Sequence, residues 1–110
     1  MSGPDRIRLQ HMLDAANEAL GFVADRKKED LATDRQLALA LIKEIEIIGE
    51  AASRISAETK DRRQDVPWSA IIGMRNRLIH AYAEIDLDVV WSAVVTDLPR
   101  LVRIVEEVLG

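Results

Sequence analysis

Five side chains with hydrogen-bonding or proton-transfer chemistry lie within eight positions of a 110-residue chain. The segment GMRNRLIHAY, residues 73–82, contains Arg75, Asn76, Arg77, His80 and Tyr82. Arginine presents a planar set of N–H donors that matches phosphate oxygens, and histidine moves protons near neutral pH. Asparagine can orient a histidine or donate to a developing negative charge. These types suit phosphodiester chemistry, which needs no metal when the nucleophile is the 2′-hydroxyl of RNA itself.

The spacing of these side chains limits how they can act together. Arg75 and His80 are five residues apart, which places them roughly 140° apart around the axis of an unbroken α-helix. Asn76 and His80 share a face, whereas His80 and Tyr82 converge only on extended backbone. The plain alternative is a helix with two surface arginines, a histidine that favours the helix C-terminus and a tyrosine packed beside it. A joint site requires that the helix ends near His80 or that a second copy of the chain completes it.

Other parts of the chain hold weaker candidates for a site. The sequence has no glycine-rich phosphate loop and no His-Glu-x-x-His zinc motif. Glu46 and Glu50 share a helical face and could hold a divalent ion with further ligands, but a salt-bridged surface is the simpler interpretation. His11 has polar neighbours and should be exposed, while Trp68 and Trp91 lie on apolar stripes and should be in the core. We therefore expect no metal and no cofactor.

The composition indicates an all-α protein. Hydrophobic residues make up 48% of the chain, with only five glycines and three prolines, whereas strand-rich folds need frequent turn residues. The absence of cysteine excludes disulfides and thiolate metal sites. The length suits a single domain over residues 1–110.

Charge and hydropathy restrict where the protein acts and what it binds. The first ten residues are charged and polar, unlike a signal peptide, and no uncharged apolar segment approaches the ~20 residues needed to span a bilayer. We expect a cytoplasmic protein that does not bind membranes. The net charge of −4 argues against binding nucleic acid through overall charge. Binding of RNA must then depend on a local basic site, and no binding of DNA is expected.

Two long helices are predicted in the first half of the chain. The first runs from Pro4 to about Asp25, because proline suits a first helical turn and apolar residues recur at steps of three and four. A polar link leads to a second helix that begins near Thr33, where Thr33 and Gln36 match a capping box. This helix is apolar over most of its girth, so a second subunit could cover part of it. Its apolar positions are Leu37, Leu39, Leu41, Ile42, Ile45, Ile47, Ile48, Ala51, Ala52 and Ile55.

The second half of the chain predicts the remaining helices of an antiparallel four- to five-helix bundle. Residues 56–67 are expected to form a polar loop, after which a third helix begins at Pro67 and continues through Ile79. Asp86 is a good N-cap for a last helix. That helix should be kinked or split near Pro99, because proline removes a backbone donor and clashes one turn back.

The segment RNRLIHAY, residues 75–82, resembles the Arg-x4–6-His-x-Tyr motif of HEPN domains, and specifically that of the HepT-like (DUF86) toxin family. Three longer blocks resemble the same family: EIIGEAASRIS at 46–56, DVPWSAIIGMRNRLIHAY at 65–82 and IDLDVVW at 85–91. An arginine and a histidine at this spacing would be a weak signal alone. With the flanking blocks the resemblance is strong, and it covers essentially the whole chain.

The resemblance implies a HEPN-like helical bundle that dimerises, brings two motifs into one cleft and cleaves RNA without a metal. In the family pattern Arg75 would hold the scissile phosphate, His80 would act as general base or acid, and Asn76 would orient the pair. The family also implies a minimal nucleotidyltransferase antitoxin of the MntA type, which transfers AMP from ATP to the motif tyrosine, here Tyr82. Arg77 is a further candidate for contact with RNA phosphate.

We therefore predict an endoribonuclease toxin of a two-component toxin–antitoxin system, active as a homodimer and inactivated by AMP transfer. Two other classes stay open. One is a non-catalytic helical dimer that binds a nucleotide or the nucleotidyltransferase partner, and the other is a purely structural dimer. A gene for a minimal nucleotidyltransferase next to the gene for this protein would favour the endoribonuclease toxin over both alternatives.

Overall fold

The structure is a computed structural model that describes residues 1–80 and 84–110, apart from the side chain of His80. Helices make up most of the described chain, and its two strands are two residues long each, which confirms the predicted all-α fold. In chain order the elements are α1 (Gly3–Val23), α2 (Asp30–Thr33), α3 (Arg35–Ser53), α4 (Ala57–Arg62), α5 (Trp68–Ile72), α6 (Met74–Leu78), β1 (Ile79–His80), β2 (Glu84–Ile85), α7 (Leu87–Ser92), a π-helical segment (Ala93–Asp97) and α8 (Leu98–Leu109).

Helix α1 lies antiparallel to both α3 and α8. Near the start of α1, the guanidinium of Arg8 donates to the carbonyl of Arg54, just past the end of α3, at 2.9 Å. Arg6 donates to the carbonyl of Leu109, at the end of α8, at 3.1 Å. Each bond joins the start of one helix to the end of another, so the predicted antiparallel bundle is confirmed.

Helix α1 begins and ends close to its predicted limits. The hydroxyl of Ser2 accepts the backbone N–H of Asp5 at 3.2 Å, and Pro4 lies in the first turn. Beyond Val23, Asp25 has a φ of 61°, a left-handed conformation that ends a helix. The buried face of α1 packs against α3 and α8. Its apolar residues are Leu9, Met12, Ala15, Ala16, Ala19 and Val23.

The predicted capping box at the start of the second long helix is wrong. Thr33 ends the short helix α2, where its hydroxyl donates to the carbonyl of Asp30 at 3.3 Å. The N-cap of α3 is Asp34, which accepts the backbone N–H of Leu37 at 3.0 Å. Asp34 also pairs with Arg26 at 2.9 Å. This second contact favours Asp34 over its neighbour as the cap, because it holds the carboxylate at the helix start.

The segment 56–67, predicted as a loop, contains the short helix α4. Ser56 is its N-cap and accepts the backbone N–H of Thr59 at 3.3 Å. Both hydroxyls also donate to the buried carboxylate of Asp5, at 2.6 Å each. Because a helix this short is not stable alone, we attribute its formation to this tertiary contact with α1.

The helix predicted from Pro67 through Ile79 is divided in the structure. Helix α5 ends at Ile72 and α6 begins at Met74, while Ile79 lies in strand β1. Pro67 precedes α5 as its N-cap residue instead of lying inside the first turn. The break falls at Gly73, consistent with the high entropic cost of glycine inside a helix.

The C-terminal helical region follows its prediction more closely. Asp86 caps α7 by accepting the backbone N–H of Val89 at 3.1 Å. The π-helical segment Ala93–Asp97 then separates α7 from α8, which has Pro99 in its first turn. The predicted split near Pro99 is therefore confirmed, and it takes the form of a short π-helical turn between two α-helices, the setting in which π-helix mostly occurs.

Most of the broad apolar surface of α3 is buried within the single chain. Ile42 and Ala51 are buried and Ile47 is partly buried, whereas Leu39 is 44% exposed. Little of this helix needs cover from a second subunit. The apolar argument for a dimer is therefore weaker than the sequence indicated.

The two tryptophans pack in or against the core, whereas the histidine outside the motif is exposed. Trp68 is buried and its indole N–H donates to the carbonyl of Arg63 at 3.1 Å. Trp91 is partly buried against the core, and His11 is exposed, both as predicted. Within the described ranges, no helix is long and apolar enough to cross a membrane.

Candidate active site

The helix that carries Arg75 and Asn76 ends just before His80. Helix α6 stops at Leu78, and the backbone of His80 is extended in β1, which pairs antiparallel with β2. The backbone N–H of Asp86 closes this turn by donating to the carbonyl of Leu78 at 2.8 Å. A joint site required that the helix ends near His80 or that a second copy completes it, and the first of these conditions is met. The unfavourable angle between Arg75 and His80 on a regular helix does not apply.

Arg75 and Asn76 line a groove of about 930 Å³ between α1, α3 and the α5–α6 segment. Both side chains are exposed. The groove has a mixed character, with apolar, cationic and acidic side chains along its walls. Its charged residues besides Arg75 are Arg8, Lys43, Glu46, Glu50 and Arg54. A polymer with a charged backbone and apolar faces could lie in such a groove.

Arg75 is held by a carboxylate from another helix. Its Nε lies 2.8 Å from Oε1 of Glu46 on α3. Sequence reasoning treated Glu46 only as a metal ligand or a surface residue and missed this contact. The spacing of Glu46 and Arg75 in the sequence carries no signal for it, because the two residues are brought together by helix packing.

The structure supports the salt-bridged interpretation of Glu46 and Glu50. Glu46 pairs with Arg75, and Glu50 pairs with Arg54 one turn along α3, at 2.8 Å in each case. Among the described residues, no group of three or more histidine or acidic side chains is arranged to hold a metal ion. Each of the two carboxylates thus has an arginine as its partner.

Arg77 lies on a different surface from Arg75 and Asn76. Its guanidinium donates to the carbonyl of Ala70 in α5 at 3.3 Å. Its side chain lines separate depressions whose walls include Asp97. The structure therefore brings Arg75 and Asn76 together at one groove and does not place Arg77 there.

Two predicted groups lie outside the described part of the structure. These are the side chain of His80 and the whole of Tyr82, which falls within residues 81–83. The roles of His80 as acid or base and of Tyr82 as AMP acceptor therefore stay predictions. The described neighbours place the backbone of His80 directly after the helix that carries Arg75.

Residues 12–108 match the sequence model of a family described as Ribonuclease HepT-like. The chain belongs to this HepT-like family. The match includes α3, the α5–α6 segment and the motif, and begins just after the part of α1 that lines the groove. It confirms the family predicted from residues 75–82 and their flanking blocks.

Several relatives of this HepT-like chain carry ribonuclease names. "Putative RNase TTE0752" of Caldanaerobacter subterraneus subsp. tengcongensis is 33% identical over 101 residues, which are 92% of this chain and 90% of the relative. "Putative RNase MJ1380" of Methanocaldococcus jannaschii is 34% identical over 98 residues, covering 89% and 90%. "Probable ribonuclease HepT" of Thermococcus cleftensis is 40% identical over 73 residues, 66% of each chain. No solved structure matches the chain significantly.

A glycine lets two helices of the HepT-like fold approach closely at the groove. A Cβ atom built on Gly49 of α3 would lie 3.3 Å from the carbonyl oxygen of Ile72, the last residue of α5. Gly49 is one turn after Glu46, and Ile72 is three residues before Arg75. This close approach therefore sets the distance between the helices that carry Glu46 and Arg75.

Sequence reasoning also missed a buried acid in the same helix. Glu44 is 5% exposed and interacts with Glu18 of α1. Burial raises the pKa of Glu44 to about 7, and the hydrogen bond and like charge of Glu18 act in the same direction. Its position three residues after Leu41 and four before Ile48 places it on the buried face, a signal that the sequence did contain. Glu44 does not line the groove.

Proposed function

We propose that this HepT-like protein is a metal-independent endoribonuclease. The observation that carries the proposal is the end of α6 at Leu78, after Arg75 and Asn76, which are exposed at the groove, and before the extended backbone of Ile79 and His80. The ribonuclease names of its relatives support the same activity. The substrate is RNA, because its 2′-hydroxyl supplies a nucleophile that neither the protein nor a metal has to provide.

The proposed reaction uses the motif residues in distinct roles. Arg75 binds the non-bridging oxygens of the scissile phosphate, which it matches in geometry and charge. A histidine takes the proton of the 2′-hydroxyl as its oxygen bonds to phosphorus, and Asn76 orients that histidine. The bond from phosphorus to the 5′-oxygen breaks, and this oxygen receives a proton. The products carry a 2′,3′-cyclic phosphate and a 5′-hydroxyl.

A homodimer explains how one motif histidine per chain serves this reaction. The base that accepts the first proton cannot at that moment donate the second, so a second acid is required. A second copy of the chain would supply another His80 if two-fold symmetry placed the two motifs in one cleft. Two large apolar side chains at the groove are exposed, Ile7 by 58% and Ile72 by 37%. They offer a surface that a second copy could bury beside Arg75.

The biological role we propose is that of a toxin in a toxin–antitoxin pair. Its partner would be a minimal nucleotidyltransferase of the MntA type, which inactivates the toxin by transferring AMP from ATP to Tyr82. Tyr82 is the only tyrosine of the chain, so a partner that modifies tyrosine has one target. The added phosphate could pair with Arg75 and compete with RNA for it.

Cleavage of a labelled RNA by purified variants tests the ribonuclease proposal. We expect His80→Ala and Arg75→Ala to fold normally and to lose about 10²–10⁴-fold in cleavage rate. His11→Ala tests whether the other histidine contributes, because His11 also lines the groove from α1. Arg103→Ala is the matched control for Arg75→Ala, because Arg103 is exposed and lies outside the groove. Full activity in well-folded His80→Ala would refute the assignment. A folded wild type that binds the nucleotidyltransferase but cleaves no RNA would favour the non-catalytic dimer.

A further inference from the structure

We infer that Glu46 is a positioning residue, which orients the guanidinium of Arg75 for binding the scissile phosphate. The inference rests on the proposed ribonuclease function and adds to it a residue outside the motif. It starts from the 2.8 Å contact between Nε of Arg75 and Oε1 of Glu46. Because the reaction requires the phosphate to be held in one geometry, a guanidinium fixed in one orientation should accelerate cleavage more than a mobile one.

The contact with Glu46 uses only the Nε–H of the Arg75 guanidinium. Glu46 takes the Nε–H, and among the described side chains, which do not include that of His80, none is paired with the two terminal amino groups of Arg75. A phosphate can bind two N–H groups of an arginine at once. Glu46 therefore leaves the terminal groups available for a phosphate, while its carboxylate fixes the plane in which they lie.

The packing of the helices supports this contact. Glu46 and Arg75 are 29 residues apart and lie on α3 and α6. The close approach at Gly49, where a Cβ would lie 3.3 Å from the Ile72 carbonyl, holds α3 against the segment leading to Arg75. The carboxylate thus comes from a helix whose other face is buried in the bundle, and it acts on a side chain of a neighbouring helix.

A second ion pair in the same groove has a different character. Glu50 and Arg54 are four residues apart on one helix, and their side chains are 64% and 63% exposed. Glu46 and Arg75 are less exposed, by 34% and 49%. Exposed pairs within a helix contribute little. Glu50 is therefore a matched control, an acid of the same type on the same helix and in the same groove that does not touch Arg75.

Two possible roles of Glu46 predict opposite changes in the rate of RNA cleavage when its carboxylate is removed. If the carboxylate merely competed with phosphate for Arg75, its removal would speed cleavage. If it positions Arg75, removal slows the chemical step, while RNA binding stays equal or tightens because one negative charge has left the groove. A change in kcat without weaker binding therefore separates positioning from competition.

The experiment measures single-turnover cleavage and RNA affinity for full-length wild type, Glu46→Ala, Glu46→Gln and Glu50→Ala. We expect kcat to fall about 10–100-fold in Glu46→Ala, with RNA affinity no weaker. Glu46→Gln should recover part of the rate, because its amide oxygen still accepts from Nε. Glu50→Ala removes the same charge from the groove without touching Arg75, so its RNA affinity should change as in Glu46→Ala while its single-turnover rate at saturating enzyme stays at the wild-type value. Faster cleavage by Glu46→Ala, or an equal loss in Glu50→Ala, would overturn the inference.

Two further measurements show that Glu46 acts through Arg75. Adding Glu46→Ala to Arg75→Ala should cause no further loss, whereas an independent role would give a multiplied loss. Without RNA, the NMR signal of the Arg75 Nε–H should shift in Glu46→Ala and not in Glu50→Ala, and an unchanged signal would overturn the contact itself. A wild-type protein that cleaves no RNA would count against the ribonuclease proposal. A wild type that cleaves RNA and a Glu46→Ala variant that cleaves it equally fast would count only against the positioning role of Glu46.

Discussion

The hydroxyl of Thr59 donates a 2.6 Å hydrogen bond to the carboxylate of Asp5, across 54 residues of sequence. Ser56 donates to the same carboxylate twice, from its hydroxyl at 2.6 Å and its backbone N–H at 3.0 Å. Asp5 is only 1% exposed, so these bonds tie the start of α1 to the start of α4 inside the protein. Burial favours the neutral acid, but the hydrogen bonds outweigh it and lower the pKa of Asp5 to about 2.

Removal of this carboxylate should destabilise the fold. We expect Asp5→Ala to reduce the free energy of unfolding by about 1–3 kcal/mol, because the donors of Ser56 and Thr59 lose their acceptor. Urea denaturation at pH 7 measures the change. Asp14→Ala is the control, since Asp14 is exposed on the same helix and should change stability by less than about 0.5 kcal/mol. Equal stability of the two variants would contradict a structural role for Asp5.

Stability should fall as the pH rises through the titration of Glu44. Its pKa is raised to about 7 in the folded protein from an ordinary value of 4.5, first by burial and then by Glu18. Between these values the unfolded chain has released the proton and the folded chain keeps it, so the folded state is progressively disfavoured. The stabilising effect of the protonated acid is complete below pH 4.5 and is lost as the pH rises through about 7.

Unfolding experiments at several pH values test this expectation. The loss between pH 4.5 and 7 should be on the order of 2 kcal/mol in the wild type. It should be absent in Glu44→Gln, which keeps the shape of the side chain without its titration. Glu50→Gln should keep the wild-type slope, because Glu50 is exposed.

The titration of Asp5 should affect stability in the opposite direction. Its stabilising contribution is present above pH 3.8 and is lost as the pH falls through about 2.

Cleavage of RNA should not depend on a divalent ion. In the proposed reaction the charge on phosphate is met by Arg75 and the protons are moved by His80, so chelation removes nothing essential. We expect equal rates with EDTA and with added magnesium, and 2′,3′-cyclic phosphate ends on the product. Activity should fall with rising salt, because Arg75 competes with counterions for phosphate. Loss of activity in EDTA that magnesium restores would refute the mechanism.

Modification of Tyr82 should stop cleavage without unfolding the protein. We expect incubation with the cognate nucleotidyltransferase and ATP to add one or more AMP units to Tyr82, as seen by intact mass and peptide mapping. The negative phosphate would repel RNA and pair with arginine donors near His80. Tyr82→Phe should gain no mass and keep its cleavage activity after the same incubation. A modified protein that cleaves RNA at the full rate would show that no such switch operates.

The sequence by itself determined the features that depend on local rules. The helical class follows from composition and apolar spacing, and the cap at Asp86 depends on a backbone N–H only three residues away. The split near Pro99 follows from the missing N–H of proline. The sequence left two ways for Arg75 and His80 to act together, an end of the helix near His80 or a second copy of the chain, because a regular helix separates them. The family could be recognised from the contiguous segment 75–82 and its flanking blocks.

The tertiary structure decided the features that depend on residues distant in sequence. Thr33 and Asp34 are adjacent, and the type of either residue suits the N-cap of α3. Asp34 is the N-cap in the structure, where it also forms an ion pair with Arg26. Helix α4 was unpredictable because Asp5 stabilises its start from α1. The Glu46–Arg75 pair forms only because helix packing brings α3 beside α6. The apolar periodicity of the sequence gives no information about which residues of two separate helices will meet. Local propensity acts over one helical turn, whereas these choices were made by contacts across the bundle.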